Sequence, residues 1–101
     1  MQLEILDLAE RDLVAGYRFY ETQRVGLGDY FLDSLYAEID SLILFGGMHR
    51  VIEGYHRMLT RTFPYAVYYK VRKNTVQVWA VVDCRRNPVW IKKRLRAKKK
   101  P

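Results

Sequence analysis

Arginine and tyrosine alternate in one short segment of this chain in a way that suits phosphate chemistry. Arg57 and Arg61 stand four apart in the run Tyr55 to Thr62, whose composition predicts a β-strand. Even spacing along such a strand puts Tyr55, Arg57, Leu59 and Arg61 on one face. A guanidinium presents a planar fork of donors that matches a phosphate, and tyrosine rings offer stacking surface to bases, so the pattern suits single-stranded RNA. A merely solvated strand face is the competing reading, because exposed arginines are common on amphipathic strands. Arg85-Arg86-Asn87-Pro88 comes just after the third predicted strand, where side chains can converge on one end of the sheet or simply form a solubilising turn. Lys92, Lys93, Arg94, Arg96 and Lys98 to Lys100 add general attraction for phosphate, or a docking strip for an acidic partner.

Other chemistries have little support. His49 and His56 are the only histidines, seven apart with Glu53 between them, which makes a metal site unexpected. His56 could serve as a general base near neutral pH, but a single strand histidine is more often structural. No Ser-His-Asp order, nucleophile elbow, glycine-rich phosphate loop or cysteine-histidine cluster occurs, and no cofactor is expected. Cys84 has no cysteine partner and reads as a small buried residue at a strand end.

The charge is asymmetric. Residues 1 to 40 carry three Lys/Arg against nine Asp/Glu, residues 41 to 84 carry six against two, and residues 85 to 101 carry nine and no acid. Any nucleic acid should therefore meet the second half, because the first repels phosphate. The first residues are acidic where a secretory signal would be basic, and no apolar run approaches the roughly 20 residues of a membrane span. A soluble, cytoplasmic protein with no membrane partner is the expectation. At 101 residues, half of them hydrophobic, the chain is expected to form one domain over residues 1 to 101 around one core.

The elements that must position these residues follow from periodicity. Gln2 to Leu6 alternate as a strand would, and Asp7 with Glu10 makes a capping-box pattern for a first helix. Ala9, Leu13, Gly16, Tyr17 and Tyr20 fall on one face of that helix. Gly26-Leu27-Gly28 interrupts the pattern, and Phe31, Leu32, Leu35, Ile39 and Leu42 form the stripe of a second, antiparallel helix that runs to Gly46-Gly47. Tyr55 to Thr62, Tyr65 to Val71 and Thr75 to Val82 read as three antiparallel strands, the last two joined by a tight hairpin at Lys73-Asn74. Pro64 belongs at an edge, bulge or corner. Pro88 stops the third strand or opens a short C-terminal helix from Val89 to Leu95, and Ala97 to Pro101 reads as a frayed tail. The sum is an α+β fold: an N-terminal strand and a two-helix hairpin packed on one face of a mainly antiparallel sheet, the other face being left free to bind.

Gly54-Tyr55-His56-Arg57, Arg61-Thr62-Phe63-Pro64-Tyr65-Ala66-Val67-Tyr68-Tyr69, Val76 to Val82 and Arg85-Arg86-Asn87-Pro88 together resemble the RelE/ParE toxin superfamily. Val25-Gly26-Leu27-Gly28, with Phe31 and Leu32 after it, resembles the interhelical linker of the same family, so the resemblance spans nearly the whole chain. It implies a plasmid-stabilisation-like toxin of a type II toxin-antitoxin system, held inactive by a cognate antitoxin that wraps the sheet and helices. One branch of the family cuts messenger RNA on the ribosome without a metal, and the other inhibits DNA gyrase and needs no catalytic residue. For the ribonuclease branch Arg57, Arg61 and Arg85 would stabilise developing phosphorane charge. Tyr55, Arg57, Arg61, Arg85, Arg86, Asn87, Lys92, Lys93 and Arg94 would bind RNA or antitoxin. The chain departs from that branch at Ala66, where an arginine often stands, and at Asp83, where many relatives have histidine and where a carboxylate would pair with Arg85. Its C-terminus offers Trp90 and lysines where those relatives carry a catalytic tyrosine or histidine. These departures place inhibition of gyrase or another protein target ahead of messenger-RNA cleavage, with a degenerate member that binds only antitoxin or RNA as a third reading. The proposal hinges on the cationic guanidinium groups gathering along one concave wall, well away from the carboxylates of the paired helices.

Overall fold

A computed structural model describes residues 1 to 98, with side chains through Arg96. The elements, in order, are β1 (Gln2–Ile5), α1 (Asp7–Gln23), α2 (Leu27–Asp40), α3 (Leu42–Phe45), β2 (Val51–Ile52), β3 (Tyr55–Leu59), β4 (Tyr65–Arg72), β5 (Thr75–Asp83) and α4 (Pro88–Lys98). The strands form one sheet in the order β1-β5-β4-β3-β2. β1 joins β5 in parallel, and every other pair is antiparallel. This is the α+β architecture expected, with a helical hairpin on a mainly antiparallel sheet.

The hairpin forms because α1 and α2 each bury one stripe. Ala9, Leu13, Gly16 and Tyr20 face Phe31, Leu35 and Ile39, and both rows rest on Met58, Tyr65, Val67, Tyr69, Val76, Val78 and Val81 of the sheet. The turn between the helices is tight because Gly26 holds φ at 89° and the Glu21 carboxylate accepts the N–H groups of Gly26 (3.0 Å) and Gly28 (2.9 Å). Glu21 thus sits at the positive end of the α2 dipole. At the start of α1 the capping box does not form: Leu6 precedes the helix without a side-chain cap, and Asp7 and Glu10 instead act as acids in its first turn. The second helix also stops early. The chain bends at Ser41, whose hydroxyl donates to the Glu38 carbonyl at 2.5 Å, and α3 continues as a separate turn.

The sheet differs from expectation at both ends and on one face. β3 ends at Leu59, because Thr60 Oγ1 donates to the carbonyls of Phe63 (2.8 Å) and Tyr65 (3.0 Å) and curls the chain into the Phe63-Pro64 corner. A two-residue edge strand, β2, pairs with β3 beyond the Glu53-Gly54 turn. The Lys73-Asn74 hairpin is as predicted, both residues holding positive φ (48° and 59°). The sheet face opposite the hairpin is not free. Helix α4, longer than the expected Val89 to Leu95, lies across it and inserts Leu95 among Tyr55, Ala66, Tyr68, Ala80 and Val82. The Tyr55 hydroxyl donates to the Leu95 carbonyl at 3.1 Å and fastens the helix to the sheet. Ala97 and Lys98 therefore continue a helix rather than a tail; Lys99, Lys100 and Pro101 lie outside the described residues, as do the side chains of Ala97 and Lys98.

One irregularity interrupts the alternation of β5. A β-bulge opposite Tyr68 and Tyr69 leaves Trp79 as an extra residue in β5. Val76 and Val78 before it face the helical hairpin, whereas Trp79, Ala80 and Val82 belong to the layer under α4.

Candidate functional site

The three arginines proposed for phosphate chemistry stand apart. Arg57 lies in β3 opposite Tyr68 and faces α4. It is half-buried, its guanidinium reaches the Cys84 thiol, and its Nε has no hydrogen-bond partner among the described residues. Arg61 follows the end of β3 on the α2 side, where its backbone N–H donates to Glu38 Oε2 at 2.6 Å. It lines a shallow depression with Ser34, Ala37, Glu38, Ser41 and Thr62. Arg85 turns towards α1, with Nη2 3.5 Å from the Tyr20 hydroxyl and the guanidinium carbon 6.0 Å from the centre of the Phe19 ring. The expected wall of converging guanidinium groups does not form.

Arg85 is also neutralised. Its Nη2 lies 2.7 Å from Asp83 Oδ2, and its Nε and backbone N–H both donate to Asp83 Oδ1 at 2.9 Å. The Arg85 hydrogen bond holds the Asp83 carboxyl below its ordinary pKa, and Asp83 in turn raises that of Arg85. The pairing anticipated from the spacing of these two residues is therefore present.

Other candidates have structural roles. Tyr55 is fully buried beneath α4 and holds Lys70 over its ring at 4.9 Å, so it offers no stacking face to a base. Asn87 caps α4: its Oδ1 accepts the Val89 N–H at 2.8 Å and its carbonyl accepts the Ile91 N–H at 3.1 Å. Arg94 pairs with Asp12 of α1, and Asp12 Oδ2 also accepts the Val81 N–H at 2.9 Å. Arg96 pairs with Glu53 at 3.4 Å. Lys92 and Lys93 are exposed on α4, as is Arg86, whose guanidinium stacks over Trp90 at 4.4 Å. Cys84 is exposed rather than a buried strand-end residue; desolvation raises its thiol pKa although Arg57 opposes the shift.

The two histidines pin a loop. The Tyr69 hydroxyl accepts the Gly47 N–H at 3.0 Å and lies 2.5 Å from His49 Nδ1, while the His56 ring stacks on Tyr69 and its Nδ1 meets the His49 carbonyl at 2.7 Å. Burial, with His56 nearby, lowers the pKa of His49. Among the described residues no three His, Cys, Asp or Glu side chains form a group that could hold a metal ion. No described helix is long and apolar enough to cross a membrane.

A cavity of about 420 Å³ lies between α1, the end of β5 and α4. Asp12, Phe19, Tyr65, Asp83, Arg86 and Trp90 are among the residues that line it. Sequence reasoning missed this site. Asp12 precedes Gly16 by one helical turn and so borders the buried stripe, which was a signal for a carboxylate with a tertiary role.

The order of strands, the helical hairpin and the C-terminal helix form an α+β fold shared with a solved structure of a ParDE TA system. A chain of the chromosomal ParDE TA system from P. aeruginosa matches with a TM-score of 0.72, covering 82% of this chain and 95% of that one at 16% sequence identity. No family model matches the chain. No curated protein matches it either. At 16% identity the likeness carries the fold.

Proposed function

We propose that the chain, acting as one domain over residues 1 to 101, is the toxin of a type II toxin-antitoxin system in the bacterial cytoplasm. It would arrest growth through DNA gyrase or another protein target and be neutralised by a cognate antitoxin. The observation that carries this reading is the fold shared with a chain of the ParDE system. A protein target is favoured over messenger RNA by the arginines: Arg57 and Arg85 face opposite layers, and Arg85 is held by Asp83. Catalysis of phosphodiester cleavage needs preorganised cations converging on one phosphate. That convergence is missing.

Induced expression in a bacterial host, alone and together with any short acidic reading frame encoded beside the gene, tests the proposal. Growth arrest that the neighbouring frame relieves, with gyrase-dependent DNA breaks in purified assays, is the expected result. Ribosome-dependent RNA cleavage lost on Arg57→Ala or Arg85→Ala would instead assign the ribonuclease branch. No arrest at any expression level would leave a degenerate family member and refute the toxin.

A further inference from the structure

We propose that the cavity between α1, the end of β5 and α4 is a ligand site for a carboxylate carried on a flat apolar body, bound by Arg86 and the Tyr65 hydroxyl. The site is independent of the toxin reading. Its volume, about 420 Å³, falls within the range of small-molecule pockets. Phe19 and Trp90 supply aromatic walls.

The charged groups around it divide into committed and uncommitted. Asp12 is engaged by Arg94 and by the Val81 N–H, and Asp83 is engaged by Arg85 through both oxygens. Arg86 forms no ion pair among the described residues; its guanidinium carbon lies over the Trp90 ring, 4.4 Å from the ring centre. Tyr65 is only 7% exposed, yet its hydroxyl makes no hydrogen bond among the described residues. Nor is that hydroxyl sealed in the core, since Tyr65 lines the cavity and its oxygen is not among the inaccessible unpaired atoms. Its accessible oxygen is thus free to meet a ligand in the cavity. Desolvation pushes the Tyr65 pKa up to about 12, so the phenol remains a neutral donor at physiological pH.

A cation and a hydroxyl donor, 21 residues apart in sequence, thus line one cavity with two aromatic side chains. The flanking carboxylates set the charge of the ligand. One guanidinium matches a monoanion, whereas a phosphate dianion would add a second negative charge between Asp12 and Asp83.

The test is a titration of the full isotope-labelled chain with phenylacetate, followed by amide shifts and Trp90 fluorescence. Phenylacetamide and phenyl phosphate serve as the neutral and dianionic counterparts. Saturable shifts centred on Val81 to Asp83 and Trp90 are expected, with both counterparts at least about ten-fold weaker, the amide through loss of a charge-assisted hydrogen bond and the phosphate through repulsion by Asp12 and Asp83. Tyr65→Phe and Arg86→Gln should each weaken phenylacetate by about ten-fold or more while leaving the rest of the spectrum unchanged. A capped phenylalanyl-glutamate dipeptide separates the sources: tighter binding than phenylacetate points to a peptide-borne carboxylate, equal or weaker binding to a free small acid. Should neither carboxylate saturate, should either counterpart bind as tightly, or should both variants bind normally, the assignment is wrong.

Discussion

Replacing Leu95 by alanine measures how firmly α4 closes the second face of the sheet. The side chain is 1% exposed and packs among Tyr55, Tyr68, Ala80 and Val82. Its truncation removes three buried carbons, worth about 2.4 kcal/mol at ~0.8 kcal/mol each, before any cost of the space left behind. Core leucines span roughly 2 to 5 kcal/mol for this change. Helix α4 meets the sheet along one side and can settle into the gap, so the expected loss is at the lower end, about 2 to 3 kcal/mol. In a chain of 101 residues that lowers Tm by roughly 10 to 20 °C. Thermal and urea unfolding read the loss, and hydrogen exchange reads where it falls. The α4 amides should lose protection before those of β4 and β5. Leu95→Met, which preserves volume, should cost less than about 1.5 kcal/mol. A Tm change under about 4 °C for Leu95→Ala, with α4 still protected, would refute the packing argument.

Three further perturbations test other contacts. Gly16→Ala places a Cβ 2.5 Å from Phe31 Cζ in the helix interface, and overpacking of this kind should cost about 1 to 3 kcal/mol in urea unfolding. The folded state depresses the pKa of Asp83, so the Arg85 contact contributes stability above the unfolded carboxyl pKa and loses it as pH falls through the folded value. Arg85→Gln should accordingly flatten the acid limb of a stability profile between pH 2 and 5. His49 is likewise held neutral, its folded pKa lying below the unfolded one, so its contribution is complete above the unfolded pKa and declines as pH falls below about 6.5. His49→Gln should remove that decline between pH 7 and 5, and an unchanged slope would show that the histidine ring does not report the loop contact.

Local rules made much of the fold legible. The three- and four-residue spacing from Ala9 to Tyr20 and from Phe31 to Ile39 marked both buried stripes, and Lys73-Asn74 marked the hairpin. Asp83 and Arg85 could be paired on paper because two residues at a strand end reach the same side. What escaped depends on tertiary context. β2 has two residues and exists through its pairing with β3; the bend at Ser41 has no glycine or proline to announce it. Helix α4 carries so many cations that they read as a surface for phosphate or an acidic partner, although Ile91 and Leu95, four apart, form the stripe that docks. Nor could any local pattern link Asp12 to Arg94, which are 82 residues apart in the chain. The candidate site was misjudged for the same reason: arginines with suitable sequence spacing were sent to different layers by the strand end at Leu59 and by the pull of Asp83 on Arg85.

The supernumerary Trp79 fixes where this sheet can tolerate a change in length. Removing it would set Val78 beside Ala80 and restore regular alternation against β4, with Val76, Val78 and Val81 still turned to the helical hairpin and Ala80 and Val82 still beneath the terminal helix. An added residue between Tyr68 and Tyr69 would instead pair with Trp79 and force one half of both strands to exchange faces. Loss of one residue is therefore tolerated at this rung of β5, whereas gain of one on the facing strand is not.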